Sequence, residues 1–299
     1  MKSEYKRYSL RSGMAISLVW LILCTPSISL GWGAGGHMMV AQIAFGRLNP
    51  KAKAQAIKLL AIKINPAAIS AKSKDFVNAA HWPDDLRPFA EFDSFKALHF
   101  IDQPFSTDAT ALPTLPTPNI VTALNDNVQI LKTSTDPNAQ AQALRFIIHF
   151  VGDIHQPLHC ATRVDKNHLE GDRGGNLVSI KVAGKRTNLH SYWDGGIGSF
   201  PKTGPNFAPP PLSQIPAAAA KATAANPDTD PDLKLDDPFA FSNWASESLT
   251  LAKDVAYKGM KTGVTPSATY NQAALKVARK RVAWGGYRLA ALLNSIWPE

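Results

Sequence analysis

The chain has 299 residues, of which 45% are apolar and 18% are charged. This balance supports a full hydrophobic core and excludes a chain that is disordered throughout. The formal net charge is +9, but residues 1–31 hold four basic side chains and one acidic one, so residues 32–299 carry +6. This mild positive charge suits an anionic substrate without identifying it. We expect one folded domain.

The first 31 residues have the three parts of an export signal. Basic residues up to Arg11 precede the apolar run Met14–Cys24, and small residues follow up to Gly31. The run is short for a membrane span, so we predict a signal peptide at 1–31 and a mature chain at 32–299 without a membrane anchor. An uncleaved anchor is the alternative.

The mature chain holds a single cysteine, Cys160, and no Asn-x-Ser/Thr acceptor sequence. An exported chain without either a disulfide or a glycosylation site favours a bacterial protein of the periplasm or the medium. We expect it to be a monomer. Cys160 directly follows His159, and we interpret it as a small buried residue beside the site, with metal ligation as the alternative.

Hydrophobic periodicity predicts a mainly helical chain. Asn49-Pro50 and Asp136-Pro137 each combine a capping side chain with a proline at the first helical position, where its missing N–H is harmless. The predicted helices are Gly36–Leu48, Pro50–Ile64, Asn119–Lys132, Pro137–Ile154, Asn188–Asp194, Phe241–Lys258 and Asn271–Ile296.

Two stretches depart from the helical pattern. Val178, Ile180 and Val182 alternate with polar residues before an Ala-Gly pair, which predicts a short β-hairpin near 176–187. Residues 201–238 contain three consecutive prolines, an alanine run and Asp-Pro steps. We predict that they form a Pro/Ala-rich surface insertion that is flexible at least in part.

The histidine pattern points to a metal site. His149 and Asp153 are four residues apart on an apolar helix, and His190 and Asp194 repeat this spacing. Four residues make about one helical turn, so each pair projects an imidazole and a carboxylate from one face. Zinc binds such nitrogen and oxygen ligands. One pair could be a buried salt bridge, but two pairs, with His159 just beyond the first, favour a metal.

Six stretches of the mature chain carry a further pattern: Trp32–His37, Trp82–Arg87, Leu98–Asp102, His149–His159, Gly174–Asn176 and Asn188–Asp194. They resemble the zinc-dependent single-strand nucleases and 3′-nucleotidases of the S1/P1 type, a family related in fold to the bacterial zinc phospholipases C. They follow the family's order across nearly the whole mature chain. The resemblance implies a single α-helical domain of the phospholipase C and single-strand nuclease type.

The same resemblance implies three zinc ions held by nine residues. The carboxylate of Asp153 would bridge two ions, and the free amino group and carbonyl of Trp32 would bind one of them after signal cleavage. By ion, the implied ligands are Asp84, His99, His149 and Asp153 for the first, His159, His190 and Asp194 for the second, and Trp32, His37 and Asp153 for the third. We expect the other histidines, His81, His155 and His168, to be solvated or to contact the surroundings of these ligands.

The activity that the resemblance implies is hydrolysis of single-stranded DNA and RNA to 5′-phosphorylated products, together with 3′-nucleotidase activity. Asp102 would orient the attacking water, and Arg87 would offset charge on the phosphoryl oxygens. A structural ion pair is the alternative for both residues. Phe100 would stack a base, and Asn176 would contact the substrate.

Two other functions stay open at this point. A phospholipase C would share the three-zinc design and would need an exposed apolar rim, of which the sequence gives no clear sign. A non-catalytic zinc-binding export protein would bind the metal without hydrolysing a phosphodiester. The chain also lacks the cysteines that form disulfide bonds in some family members. With the insertion at 201–238, the sequence does not decide how the substrate would reach the site.

Overall fold

The computed structural model describes residues 31–204 and 208–299. The predicted signal peptide lies outside these residues except for Gly31. The described chain is mainly helical, as the sequence predicts, and none of its helices is long and apolar enough to span a membrane. The α-helices are α1 Ala34–Phe45, α2 Pro50–Leu60, α3 Ala67–Ser70, α4 Phe76–Ala79, α5 Trp82–Asp85, α6 Ile120–Thr133, α7 Pro137–Ile154, α8 Leu189–Asp194, α9 Ile215–Ala225, α10 Phe241–Leu251 and α11 Ala268–Ile296.

Local capping explains where the central helices begin. The side chain of Asn49 accepts a hydrogen bond from the Ala52 amide, and that of Asp136 accepts one from the Asn138 amide. Each cap precedes a proline at the first helical position, as the sequence predicts. Helix α7 consequently has the predicted bounds at both ends. In the described part of the chain, 3-10 helices at Ala90–His99, Pro157–His159 and Leu212–Gln214 add further turns.

Two small sheets complete the regular structure. Strands β3 (Ser179–Val182) and β4 (Lys185–Asn188) form the predicted antiparallel hairpin, joined by an Ala-Gly turn in which both residues have positive φ. Strands β1 (Pro104–Ser106) and β2 (Thr162–Val164) pair in parallel. Sequence analysis does not predict the second sheet, because strands of three residues carry no usable alternation.

Helix α7 lies at the centre of the core and packs against α1, α2, α5, α6 and α11. Almost every residue of its C-terminal half is buried, including the ionisable His149 and Asp153. Gly152 permits close approach of α1, since a Cβ atom there would lie 2.6 Å from Nδ1 of His37. The tight contact of α1 with α7 brings His37 beside the polar face of α7.

The predicted insertion contains an ordered helix that sequence analysis does not predict. Helix α9 buries Ile215, Ala219 and Ala222 against α1 and α11. Its sequence is rich in alanine and shows no clear alternation of apolar and polar residues. The local pattern therefore does not predict this helix, which is held by packing against two neighbouring helices.

The predicted helix Phe241–Lys258 is wrong at its C-terminal end. The α-helix stops at Leu251, and a π-helical segment, Ala252–Ala256, follows.

An ionic cluster with two buried arginines stabilises the C-terminal end of α7. Arg281 and Arg288, both 1% exposed, bind the Glu247 carboxylate with N–O distances of 2.6 to 2.7 Å. The Arg281 guanidinium also donates to the His155 carbonyl, and the Ser248 hydroxyl donates to the carbonyl of the last α7 residue. The cluster thus fixes the turn that immediately follows Asp153.

We expect Glu247→Gln to lower the free energy of unfolding by about 3 kcal/mol, because it leaves two buried guanidinium groups without a counter-charge. Burial favours the neutral acid, but Arg288 and Arg281 hold the pKa of Glu247 below its usual value. The carboxylate therefore stabilises the fold above its unfolded pKa, and this contribution is lost as pH falls through the lower folded value. Urea denaturation at pH 7 and pH 4 measures both effects. An equal stability of variant and wild type at pH 7 would contradict the prediction.

Candidate metal centre

Helix α7 carries two residues of the candidate centre, His149 and Asp153. The carboxylate oxygen Oδ2 of Asp153 lies 3.0 Å from Nε2 of His149, one turn earlier on the helix. The other ring nitrogen of His149, Nδ1, is 2.7 Å from the Ala80 carbonyl oxygen. A donated Nδ1–H orients the imidazole so that Nε2 faces Asp153, which is the usual support of a metal-binding histidine.

Asp84 and His99 contact the same face of α7, although they belong to other elements of the fold. Asp84 lies on the short helix α5, and its Oδ1 atom is 3.6 Å from Nε2 of His149. His99 ends the 3-10 helix Ala90–His99, and its Nδ1 atom is 3.0 Å from Oδ2 of Asp153 and 3.8 Å from Oδ1 of Asp84. The structure therefore brings together the four residues implied for the first ion.

A second cluster follows the end of α7. His159 and His190 each place Nδ1 at 2.7 Å from a backbone carbonyl oxygen, that of His99 and that of Gly174 respectively. Their Nε2 atoms are buried and have no hydrogen-bond partner in the described part of the chain. Asp194 completes the group, with Oδ1 at 3.6 Å from Nε2 of His190.

The third group lies at the start of α1. The Nε2 atom of His37 is 3.2 Å from Oδ1 of Asp153, and both side chains are fully buried. Trp32 is also fully buried and packs its indole against Phe200, with ring centroids 5.5 Å apart. A Cβ atom on Gly31 would overlap Oδ1 of Asp153 and lie 2.9 Å from Nε2 of His37. The residue before Trp32 thus occupies the space beside this carboxylate.

Burial sets the charge states of these groups. It lowers the pKa of both His37 and His99 to about 4. Burial also disfavours the charged form of His149, yet the facing carboxylates raise its pKa above the usual value. For Asp153 burial is outweighed by the surrounding imidazoles, and its pKa lies well below the usual range. Neutral imidazole and charged carboxylate are the forms that bind zinc, and binding would displace the proton that remains on His149.

The donor set fits metal ions. Groups of histidine and aspartate atoms lie within 4.8 Å of one another at three places. Several of these atoms are buried without a hydrogen-bond partner among the described residues, and each such atom would cost free energy unless a ligand compensated it. The three groups are His37, His149 and Asp153; Asp84, His99 and His149; and His159, His190 and Asp194.

The other candidate site residues lie around these groups. The Nη2 atom of Arg87 is 2.9 Å from Oδ1 of Asp84, so Arg87 contacts an implied ligand. Burial and the neighbouring Asp172 carboxylate raise the pKa of Asp102 to about 7. Phe100 is half-buried in extended backbone beside His99.

Asn176 is also half-buried. Its amide nitrogen donates to the Arg173 carbonyl at 2.8 Å, while its Oδ1 atom is buried without a hydrogen-bond partner among the described residues.

The remaining histidines lie outside the three groups. His81 pairs with Asp85, with Nδ1 2.8 Å from the carboxylate, and His168 contacts Asp165. His155 is fully buried, and its Nε2 atom is 3.1 Å from the Arg288 guanidinium. It is therefore not solvated, and it joins the ionic cluster at the end of α7. The expected burial of Cys160 is confirmed.

Sequence analysis misses one supporting residue of the second group. The Gln156 amide donates to Oδ1 of Asp194 at 2.8 Å, while its Oε1 atom accepts from the Leu158 amide. Gln156 is fully buried although it is polar. In the sequence, the position of Gln156 between Asp153 and His159 is the feature that could indicate this role. The residue pattern itself predicts only the end of a helix there.

Comparison with known proteins agrees with this geometry. The sequence profile described as S1/P1 nuclease matches residues 32–298. Endonuclease 4 of Arabidopsis thaliana is 30% identical over 97% of this chain and 96% of its own length. Nuclease P1 of Penicillium citrinum is 26% identical over 89% and 97%, and nuclease S1 of Aspergillus oryzae is 27% identical over 92% and 94%. With this coverage and this arrangement of histidines and aspartates, the chain belongs to the S1/P1 nuclease family.

Proposed function

We propose that this protein is a three-zinc phosphodiesterase that cleaves single-stranded DNA and RNA to 5′-phosphorylated products and removes the phosphate of 3′-nucleotides. One observation carries the proposal: eight of the nine implied ligands, all except Trp32, converge on three groups, in which the Nε2 atoms of His159 and His190 are buried without a hydrogen-bond partner among the described residues. The names of the similar nucleases agree with a nucleic acid substrate.

Nine residues would hold the ions, with Asp153 shared between the first and third. Zinc at these positions lowers the pKa of water toward neutrality and stabilises negative charge on phosphate and on the departing 3′ oxygen. The nine residues are Trp32, His37, Asp84, His99, His149, Asp153, His159, His190 and Asp194.

The protein groups around the ions have separate tasks in this proposal. Asp102 orients the attacking water. Arg87 offsets the charge that develops on the phosphoryl oxygens. Phe100 offers a ring on which an unpaired base stacks, and Asn176 offers its unpartnered carbonyl oxygen to the substrate.

The preference for single strands follows from the burial of the ligands. The ligand side chains are at most 9% exposed, so a phosphate must descend into the protein to reach them. A stacked duplex cannot lower its backbone there without unpairing, whereas an unpaired nucleotide can swing aside. Base stacking on an aromatic ring then contributes about 1–3 kcal/mol.

The test uses mature protein that begins at Trp32. We expect about three zinc ions per chain by elemental analysis, hydrolysis of single-stranded DNA and RNA, and loss of this activity on chelation with recovery on adding zinc. Products should carry 5′-phosphate, and 3′-AMP should release phosphate faster than 5′-AMP. Preferred hydrolysis of phosphatidylcholine would indicate the phospholipase instead, and full zinc content without any hydrolysis would indicate the binding protein.

We expect Arg87→Ala to reduce turnover by about a hundredfold while zinc content stays at the wild-type level. The guanidinium is a charge donor and not a ligand in the proposed centre, and Arg87→Lys should recover part of the rate. Turnover of single-stranded DNA and zinc per chain are measured on the same preparation. If the alanine variant loses its fold, the structural ion pair with Asp84 is the better interpretation.

A further inference from the structure

A basic groove lies between α9, α11 and the segment that follows Asp194. It has a volume of about 740 Å³. Lys202, Lys221 and Arg279 contribute its charged side chains. An adjoining cavity of about 320 Å³ shares Arg279 and adds Lys276, which lies one turn earlier on α11. Among the described residues, no acidic side chain lines either cavity.

Small residues keep this groove open. Helix α9 faces it with Ala217 and Ala218, while the opposite wall contains Gly198 and Ser199. The buried residues of α9 point instead toward α1 and α11, so the helix is fixed and its lysine face is free to line the groove. The groove is therefore a built concavity of the folded protein.

Among residues 31–204 and 208–299, no acidic side chain forms an ion pair with the four cations of the groove. Lys202, Lys221 and Lys276 are exposed, and Arg279 is half-buried. Two acids of the 226–232 segment approach α11, and both face Lys280, Asp230 at 3.1 Å and Asp232 at 3.8 Å. Four cations brought together by three segments repel one another, and an anion would relieve this repulsion.

We infer that this groove binds the phosphodiester backbone of single-stranded nucleic acid, holding a part of the strand that does not occupy the metal centre. The inference rests on the proposed function. The groove wall is continuous in sequence with the metal centre, because Lys202 follows the implied ligand Asp194 by eight residues and Phe200 packs against Trp32. Hence the same segment borders both the proposed site of cleavage and the groove.

The form of the groove favours a strand over other anions. Four cations from three segments exceed what one phosphate group contacts, and a concave cleft does not match a flat lipid surface. Phe200 is the one aromatic residue that lines either cavity in the described chain, and it is buried against Trp32. Binding should therefore depend on charge with little stacking, which makes it independent of base sequence and strongly dependent on salt.

The test compares two triple variants with the same change of charge. The groove variant is Lys202→Gln/Lys221→Gln/Lys276→Gln, and the control replaces three exposed lysines on and just after α2, Lys51, Lys58 and Lys63, with Gln. Binding of fluorescent dT20 is measured by anisotropy at several salt concentrations. Zinc-loaded protein with the additional change Asp102→Asn is used, which slows cleavage and keeps every implied ligand.

We expect the groove variant to bind dT20 about tenfold more weakly, and the slope of log K against log salt to fall by about 2, because each lost contact with a single strand removes about 0.7. The control should keep the wild-type slope. In the cleaving enzyme, the ratio of kcat/KM for dT20 to that for a dinucleotide should fall in the groove variant alone.

Equal affinities and slopes in the two triple variants would overturn the inference. Weaker binding to phosphatidylglycerol vesicles with unchanged binding to dT20 would assign the groove to an anionic lipid surface and would overturn it as well. Failure of the proposed function is distinguishable, since wild-type protein would then bind dT20 through the groove without hydrolysing it.

Discussion

Asp153→Asn is expected to reduce hydrolysis of single-stranded DNA by at least about a thousandfold and to remove more zinc than any other single ligand change. The Asp153 carboxylate lies 3.0 to 3.2 Å from nitrogen atoms of three histidines, His37, His99 and His149. The family resemblance assigns this carboxylate, alone among the implied ligands, to two ions. An amide in its place would leave two cations facing each other without the negative charge between them.

The variant is measured for zinc per chain and for turnover, beside the matched control Asp85→Asn. Asp85 lies on α5 next to the implied ligand Asp84, and it binds His81 without belonging to the three groups. We expect the control to keep its zinc. Wild-type zinc content and near-normal turnover in Asp153→Asn would remove the bridging carboxylate from the proposed centre.

A mature chain that keeps one extra glycine before Trp32 is expected to fold, to retain two zinc ions and to lose the third together with most of its activity. The free α-amino group of Trp32 has an unperturbed pKa of about 7.7–8.0, and metal binding would deprotonate it at lower pH. An amide nitrogen in the same place has no available lone pair. In the structure Gly31 also occupies space beside Asp153 and His37, where the added residue would remain.

The comparison uses chains that begin at Gly31 and at Trp32, with N-terminal mass confirmed for both. Zinc per chain and the rate of single-stranded DNA hydrolysis are the two readouts. Trp32→Phe with the correct N-terminus is the control, because it keeps the amino group and the carbonyl and should keep the third ion. Equal zinc and equal rates in the two chains would leave a two-zinc enzyme without an N-terminal chelate.

Features that depend on interactions between residues close together in the chain could be predicted from the sequence. The capping pairs at Asn49 and Asp136 determine where two helices begin, and the spacing of His149 and Asp153 places both side chains on one face of α7. The β3–β4 hairpin is equally local, since its two-residue turn joins strands of four residues. For each of these features, neighbouring residues supply the main interaction.

Features that depend on long-range packing could not be predicted. Helix α9 is recognisable as a helix only from its contacts with α1 and α11. The sequence leaves open whether His155 is solvated or contacts the surroundings of the ligands, and only the structure shows Arg288 against its ring and Arg281 on its carbonyl. The basic groove likewise combines lysines from three distant segments.

The sequence by itself determined the family of this protein, because six stretches that carry most of its histidines resemble the S1/P1 nucleases, and this resemblance implies the ligands. Only the tertiary structure decided how these residues act together. It directs Nδ1 of His149, His159 and His190 to backbone carbonyl oxygens and leaves their Nε2 atoms for a ligand. It also brings Gly31 against Asp153. These contacts join residues that are distant in the chain, so core packing and not local pattern determines them.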